Sequence, residues 1–121
     1  MRTIKDSITS LNCETILECF YGINDSDAQI YRLLIKRNLK IEEISQILGR
    51  GENSVYKSLQ KLLIAGLVVR EKKVLPGGGY YYTYRSVSPG KLAEEMRRIM
   101  KEWCEKVAFT INEFEEKFGG D

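Results

Sequence analysis

The 121-residue sequence contains no histidine, the side chain that most often serves as a general base or a metal ligand. It also has no nucleophile elbow, phosphate-cradling glycine loop or cluster with metal-ligand spacing. Long apolar runs are absent too, because lysine and arginine interrupt every apolar stretch well short of the roughly 20 residues that a membrane span requires. We therefore expect neither an enzyme nor a membrane protein, and no cofactor or metal site.

The first residues lack the apolar run and the small-residue cleavage site of a secretory signal, which predicts a cytoplasmic protein. The cysteines Cys13, Cys19 and Cys104 fit that compartment, because an odd number cannot pair fully within one chain and their spacing matches no zinc signature. We expect buried thiols that act as small hydrophobic side chains. A redox or metal-sensing role is the alternative, with Cys104, beside Trp103, as a candidate switch.

Charge is distributed unevenly along the chain. The net charge is −2 over residues 1–35, +6 over residues 36–86 and −2 over residues 87–121, although the whole chain carries only +2. A basic middle flanked by acidic ends is typical of a segment that faces a polyanion.

Apolar periodicity and capping residues predict four helices in the first half of the chain. The first lies around residues 13–21, and the second follows the cap candidates at 24–27 and ends near 36–37. A short helix over 41–48 stops at Gly49, and the last begins near Glu52 or Asn53 and stops at Gly66. The final pair, joined by a short glycine-bearing turn, is a candidate helix-turn-helix.

A β-hairpin is predicted directly after the last of these helices. Residues 67–74 are rich in β-branched and basic side chains, residues 76–79 read Pro-Gly-Gly-Gly, and residues 80–87 form a tyrosine-rich strand. A helix-turn-helix followed at once by a basic hairpin is the layout of a winged helix. We expect a mainly α fold with a small β-hairpin wing, in which residues 1–87 form a winged helix-turn-helix domain.

Ser88 as N-cap and Pro89 in the first turn predict the start of a long helix. It is expected to run to about Phe118, where two glycines follow. At 1.5 Å per residue it is roughly 45 Å long, which exceeds a small domain, so residues 88–121 are expected to form a dimerisation helix belonging to the same domain. Folding back onto the N-terminal helix is the alternative to a homodimer. The predicted interface is the nearly heptad-like apolar stripe of Leu92, Met96, Ile99, Trp103, Val107, Ile111, Phe114 and Phe118.

The segment Gly49-Arg50-Gly51-Glu52-Asn53-Ser54-Val55-Tyr56, followed by Leu59, Leu62 and Gly66-Leu67-Val68, resembles the TrmB-like archaeal regulators of the MarR-like winged-helix group. The resemblance covers roughly residues 22 to 92 and implies a transcription regulator. Gly51 and Glu52 depart from the proline and the basic residue that are common in the family. Sugar-responsive members carry a large C-terminal effector domain, whereas only the long helix follows the wing here, so no sugar site is carried over and any effector is unknown.

A helix-turn-helix places the outward face of its second helix, about residues 52–65, in the major groove of double-stranded DNA. Asn53 and Gln60 have the paired donor and acceptor that read adenine, and Lys57 reaches guanine acceptors. Tyr56, Lys61 and Arg50 are expected to contact phosphates, which fix the register without reading sequence. The predicted DNA-binding residues are Arg50, Asn53, Ser54, Tyr56, Lys57, Gln60 and Lys61, with Arg70, Lys72, Lys73 and Tyr80 in the wing (70–85) on phosphates or the minor groove.

These observations predict a sequence-specific, DNA-binding transcription regulator. As a twofold dimer it would bind half-sites about one helical turn, ~34 Å, apart. A winged helix that serves as a protein–protein adaptor in a larger complex is the alternative, and the acidic Glu52 at the head of the second helix favours it.

Overall fold

The computed structural model describes residues 3–120 and contains six helices and one two-stranded antiparallel sheet within them. The helices are α1 (Ile4–Ser10), α2 (Ile16–Tyr21), α3 (Asp25–Lys36), α4 (Ile41–Leu48), α5 (Glu52–Ile64) and α6 (Pro89–Phe118), and the strands are β1 (Val68–Val74) and β2 (Tyr80–Ser86). The chain divides into two compact units, residues 1–88 and residues 89–121. No helix of the described residues is both long and apolar enough to cross a membrane.

Local capping chemistry sets most helix ends where the sequence predicts them. Asn24 caps α3 by accepting a hydrogen bond from the Asp27 amide at 2.8 Å, and the Asp27 carboxylate accepts one from the Asn24 amide at 3.4 Å. Gly49 ends α4 in the left-handed conformation, with φ +65°, and its amide donates to the Ser45 carbonyl. The predicted helix-turn-helix and long C-terminal helix are therefore confirmed.

The N-terminal region differs from the prediction. A helix, α1, begins at Ile4 because Thr3 and Asp6 form a reciprocal capping box, and the apolar pattern gave no sign of it. The next helix begins at Ile16 rather than near Cys13, since the Asn12 side chain accepts hydrogen bonds from the amides of Glu14 and Thr15 and holds a turn there.

The expectation that the three thiols are buried is wrong. Cys13, Cys19 and Cys104 are all exposed in the single chain. The reason is that the segments carrying them bury little: α2 has no buried residue and α6 has one, Leu92.

The core of the first unit lies where α3, α4 and α5 meet the hairpin. Two hydrogen bonds between the backbones of Leu39 and Tyr84 add a short third stretch to the sheet. The Tyr31 hydroxyl donates to the Val87 carbonyl at 2.8 Å, and the Ser86 hydroxyl donates to the Tyr31 carbonyl at 2.6 Å, so α3 is tied to the end of β2. The most deeply buried apolar side chains of this core are Ile30, Leu34, Ile44, Val55, Leu59, Leu62 and Leu67.

Candidate nucleic-acid interface

The outward ridge of α5, which we define as Asn53, Tyr56, Lys57 and Gln60, faces away from the core. Tyr56 and Lys57 follow Asn53 by three and four residues and precede Gln60 by four and three. The buried side chains Val55, Leu59 and Leu62 occupy the opposite side of the same helix. Within residues 3–120 the four side chains make no hydrogen bond or ion pair to the rest of the chain. Their donors and acceptors are therefore available to a ligand.

A second face of α5 is held against the start of α3 by Arg50. The Arg50 Nη2 donates to the Ser54 hydroxyl at 2.7 Å and to the Ser58 hydroxyl at 2.8 Å. Its Nη1 donates to the Ser26 carbonyl, in the first turn of α3, at 3.3 Å. Arg50 belongs to the turn between α4 and α5, so its guanidinium links that turn to both α3 and α5.

Lys61 extends the same contact one turn further along α5. Its Nζ lies 2.7 Å from Oδ2 of Asp27, whose side chain is 1% exposed. Burial opposes ionisation of this carboxyl, but the hydrogen bonds from Lys61 and Ser58, the Lys61 charge and the Asn24 amide outweigh it and lower the pKa of Asp27. Asp27 is therefore a carboxylate at neutral pH. We call Asp27, Arg50, Ser54, Ser58 and Lys61 the helix clasp.

The two faces of the wing differ in chemistry. On one face, the guanidinium carbon of Arg70 lies 4.1 Å from the ring centroid of Tyr82, and Nζ of Lys72 lies 4.2 Å from that of Tyr80. The two rings meet edge to face with centroids 5.5 Å apart. This cationic face, defined as Arg70, Lys72, Tyr80 and Tyr82, contains two positive charges and no carboxylate.

On the opposite face of the wing the charges are paired with one another. The Glu71 carboxylate accepts from Arg85 Nε at 2.6 Å and lies 3.3 Å from Lys73 Nζ. Hydrogen bonds from Arg85 and then from Lys73 lower the pKa of Glu71. Lys73 therefore points away from the cationic face, because successive side chains of a strand alternate between its two sides.

The wing tip is a turn that only glycine forms without strain. Gly78 and Gly79 have φ of +100° and +82°, and the Leu75 amide donates to the Gly79 carbonyl at 3.0 Å. Tyr80, the first residue of β2, is 57% exposed beside this tip. A backbone without side chains at the tip permits close approach to another surface.

Helix α6, in the second unit, has an exposed apolar stripe. Ile99, Trp103, Ile111, Phe114 and Phe118 are between 36% and 65% exposed in the single chain. Met96 and Val107 are half-buried, and Leu92 is buried. Leu92 is thus the one member of the predicted interface that the single chain already covers.

The predicted DNA-binding residues fall into two groups in the structure. The outward ridge and the cationic face lie at the surface, with Gln60 and Tyr82 half-buried and the other members exposed. Arg50, Ser54, Lys61 and Lys73 instead have hydrogen-bond or ion-pair partners within the chain. Sequence reasoning missed the other clasp residues, Asp27 and Ser58. The spacing of Ser54, Ser58 and Lys61 marks one helix face, but nothing in the sequence says that Asp27 lies opposite it.

The fold and this surface define a winged-helix protein with a basic second helix and a basic wing. Residues 17–90 match the family described as the sugar-specific transcriptional regulator TrmB. The chain therefore belongs to the TrmB family, as the sequence motifs predict. This is a family of transcriptional regulators, not of enzymes.

Individual proteins are similar to this chain in sequence or in fold. The chain is 29% identical, over 113 residues, to the uncharacterized protein MJ1503 of Methanocaldococcus jannaschii, covering 93% of this chain and 86% of that one. A possible transcriptional regulator from Methanosarcina mazei Go1 has a similar structure, with a TM-score of 0.74 and 21% identity, over 87% of this chain and 90% of that one. The ST1889 protein from Sulfolobus tokodaii gives a TM-score of 0.58 at 26% identity, over 78% and 90% of the two chains.

Proposed function

We propose that this protein is a sequence-specific regulator that binds double-stranded DNA as a homodimer, with α5 in the major groove. The observation that carries the proposal is the outward ridge on the second helix of the helix-turn-helix. Its two carboxamides, lysine and tyrosine have no hydrogen-bond or ion-pair partner within the described residues. The major groove is about 12 Å wide and accepts one α-helix. The +6 charge of residues 36–86 supports a polyanionic partner.

The ridge and the helix clasp have different roles in this proposal. Asn53 and Gln60 read adenine edges, Lys57 reaches guanine acceptors and Tyr56 contacts phosphate. Arg50 and Lys61 act as positioning residues instead, because the clasp engages their charged groups and fixes how α5 lies against α3. A helix held on one face presents the other in a defined orientation, which base reading requires.

The wing contributes through its cationic face. Arg70 and Lys72 lie over tyrosine rings, which limits the conformations that these long side chains must give up when they bind. Together with Tyr80 at the glycine tip they contact phosphates or the minor groove. Lys73 supports the wing from the other side through Glu71.

A second copy of the chain covers the apolar stripe of α6. Five large apolar side chains of the stripe are exposed in the single chain, and an exposed apolar patch of this kind ordinarily marks an interaction surface. Twofold pairing of two such chains matches the symmetry of a palindromic operator. As a regulator of transcription, the dimer acts in the cytoplasm, where the DNA lies.

The test is fluorescence anisotropy with duplex DNA from immediately upstream of the protein's own gene, at several salt concentrations. Lys57→Ala is compared with Lys36→Ala, an exposed lysine in the last turn of α3. Because Lys57 is assigned to a base rather than to a phosphate, we expect Lys57→Ala to weaken binding about tenfold and to reduce the preference for guanine at one position of the site. Lys36→Ala leaves both unchanged.

Absence of binding to that fragment and to generic duplex by a folded dimer would contradict the proposal. The winged-helix adaptor, which needs no nucleic acid, would then be the better explanation. Equal losses from the two lysine variants would instead show that binding is generic and does not pass through the ridge.

A further inference from the structure

The spacing of the apolar residues along the stripe of α6 is the same from either end. From Met96 to Phe114 its members are 3, 4, 4, 4 and 3 residues apart, so the pattern is symmetric about residue 105. When a second copy of the helix is turned end for end, every apolar position therefore meets another apolar position. The positions are Met96, Ile99, Trp103, Val107, Ile111 and Phe114.

We propose that two α6 helices pair in antiparallel orientation in the homodimer. This inference rests on the homodimer proposed above and specifies its geometry. Trp103 packs against the partner's Val107, Ile99 against the partner's Ile111, and Met96 against the partner's Phe114. Each large aromatic side chain then faces an aliphatic one, which avoids two rings competing for the same space.

Charge favours the antiparallel arrangement over the parallel one. Residues 89–101 contain four basic and two acidic side chains, whereas residues 102–118 contain two basic and five acidic ones. Antiparallel pairing places the basic half of each helix beside the acidic half of the other, and it also opposes the two helix dipoles. Parallel pairing would place halves of the same charge side by side and would align the two helix dipoles.

One pair of residues makes this argument specific. Arg97 and Glu115 are 18 residues apart, which is five turns, so they lie on the same side of α6 but about 27 Å apart along it. At that distance they cannot interact within one helix, and within residues 3–120 neither has an ion pair. In the proposed register Arg97 lies beside the partner's Glu115, and the symmetry of the dimer forms this contact twice.

The antiparallel arrangement also fixes where each chain enters the paired helices. The two Pro89 residues lie at opposite ends of the pair, offset along its axis by 32 residue positions, or about 48 Å. Parallel pairing would bring these two entry points side by side.

The test uses two charge-reversed variants, Arg97→Glu and Glu115→Arg. Each homodimer of a variant contains two like-charged contacts, whereas the heterodimer of the two variants restores both opposite-charged contacts. We expect native mass spectrometry of the equimolar mixture to give a heterodimer preference about tenfold above the statistical value at low salt. The control is Arg98→Glu mixed with Glu115→Arg, because Arg98 lies on the far side of the helix from the stripe and gives no preference.

A statistical mixture of the first pair would overturn the antiparallel pairing. As a second readout, Ile99→Cys and Ile111→Cys are placed in a chain whose three natural cysteines are serine. Antiparallel helices form a disulfide only when the two variants are mixed, whereas parallel helices form it within each variant alone. Sedimentation of the natural chain tests the homodimer separately from the orientation of its helices. A monomer would refute the homodimer itself. A dimer whose charge variants show no heterodimer preference would refute only the antiparallel orientation.

Discussion

The helix clasp predicts that Lys61 acts on stability rather than on DNA phosphate. We expect Lys61→Met to leave the buried Asp27 carboxylate without its main partner. A hydrogen bond between charged groups contributes about 1.5–3 kcal/mol, and the lower half of that range applies because the Lys61 side chain is 54% exposed. The free energy of unfolding falls by about 1.5 kcal/mol and Tm by about 7 °C.

The measurement is urea unfolding followed by circular dichroism, at one fixed protein concentration because dimerisation contributes to apparent stability. Asp27→Asn and the double variant complete a thermodynamic cycle. We expect a coupling free energy of about 1 kcal/mol between Asp27 and Lys61.

The same pair gives a pH dependence with a defined sign. Since the pKa of Asp27 in the folded protein lies below its ordinary value of 3.8, the pair stabilises the fold fully above that pH. Its contribution is lost as the pH falls through the lower folded pKa. Lys61→Met therefore shows a smaller loss of stability between pH 5 and pH 2 than the natural chain.

DNA binding provides the result that would refute this reasoning. If Lys61→Met unfolds at the natural urea concentration while the slope of log affinity against log salt falls by about one, then Lys61 contacts phosphate and the ion pair with Asp27 contributes little.

Three further predictions concern the wing and the helix-turn-helix. Lys72→Ala weakens DNA binding about fivefold, whereas Lys73→Ala, on the opposite face of the wing, changes it less than twofold in the same anisotropy assay; equal effects would contradict the assignment of faces. In urea unfolding, Gly49→Ala lowers the free energy of unfolding by about 1–2 kcal/mol because Gly49 has φ +65°. Its control, Gly51→Ala, costs less than about 0.5 kcal/mol, because Gly51 has φ −64° and an added Cβ meets nothing within 4 Å. Glu52→Gln raises DNA affinity about threefold at low salt, since it removes a carboxylate at the head of α5, and unchanged affinity would place that helix end away from phosphate.

The sequence was sufficient for the elements whose ends are set by local chemistry. Gly22 and Gly49 end their helices with left-handed φ values, and the step from Ser88 to Pro89 begins the last helix. Each of these signals acts within one turn of the chain, so no knowledge of distant residues is needed to interpret it. The Pro-Gly-Gly-Gly turn of the hairpin is of the same kind.

The candidate site was predicted only in part, because its chemistry depends on residues far apart in sequence. Helical spacing separates the ridge at Asn53, Lys57 and Gln60 from the core face. It cannot show that the remaining face, at Ser54 and Lys61, meets a carboxylate 34 residues earlier in the chain. From the sequence alone, Lys57 and Lys61 are therefore equivalent, and only the fold shows that Lys61 has a partner.

The wing shows the same limit on a smaller scale. Alternation along β1 predicts that Lys72 and Lys73 face opposite sides, but not which side is paired. The answer comes from Arg85 on β2, which forms an ion pair with Glu71 on the same face as Lys73. Which side chains meet across a hairpin depends on the register of its strands, and the register depends on the geometry of the turn.

The separation of the outward ridge from the helix clasp bears on how such a protein changes its target in evolution. The side chains that we propose to read bases and the side chains that hold α5 occupy different faces of one helix. Asn53, Lys57 and Gln60 can therefore be exchanged without disturbing the contacts of Arg50 and Lys61. Under the proposed function, a single substitution on the ridge changes the operator that the protein reads and leaves the fold intact.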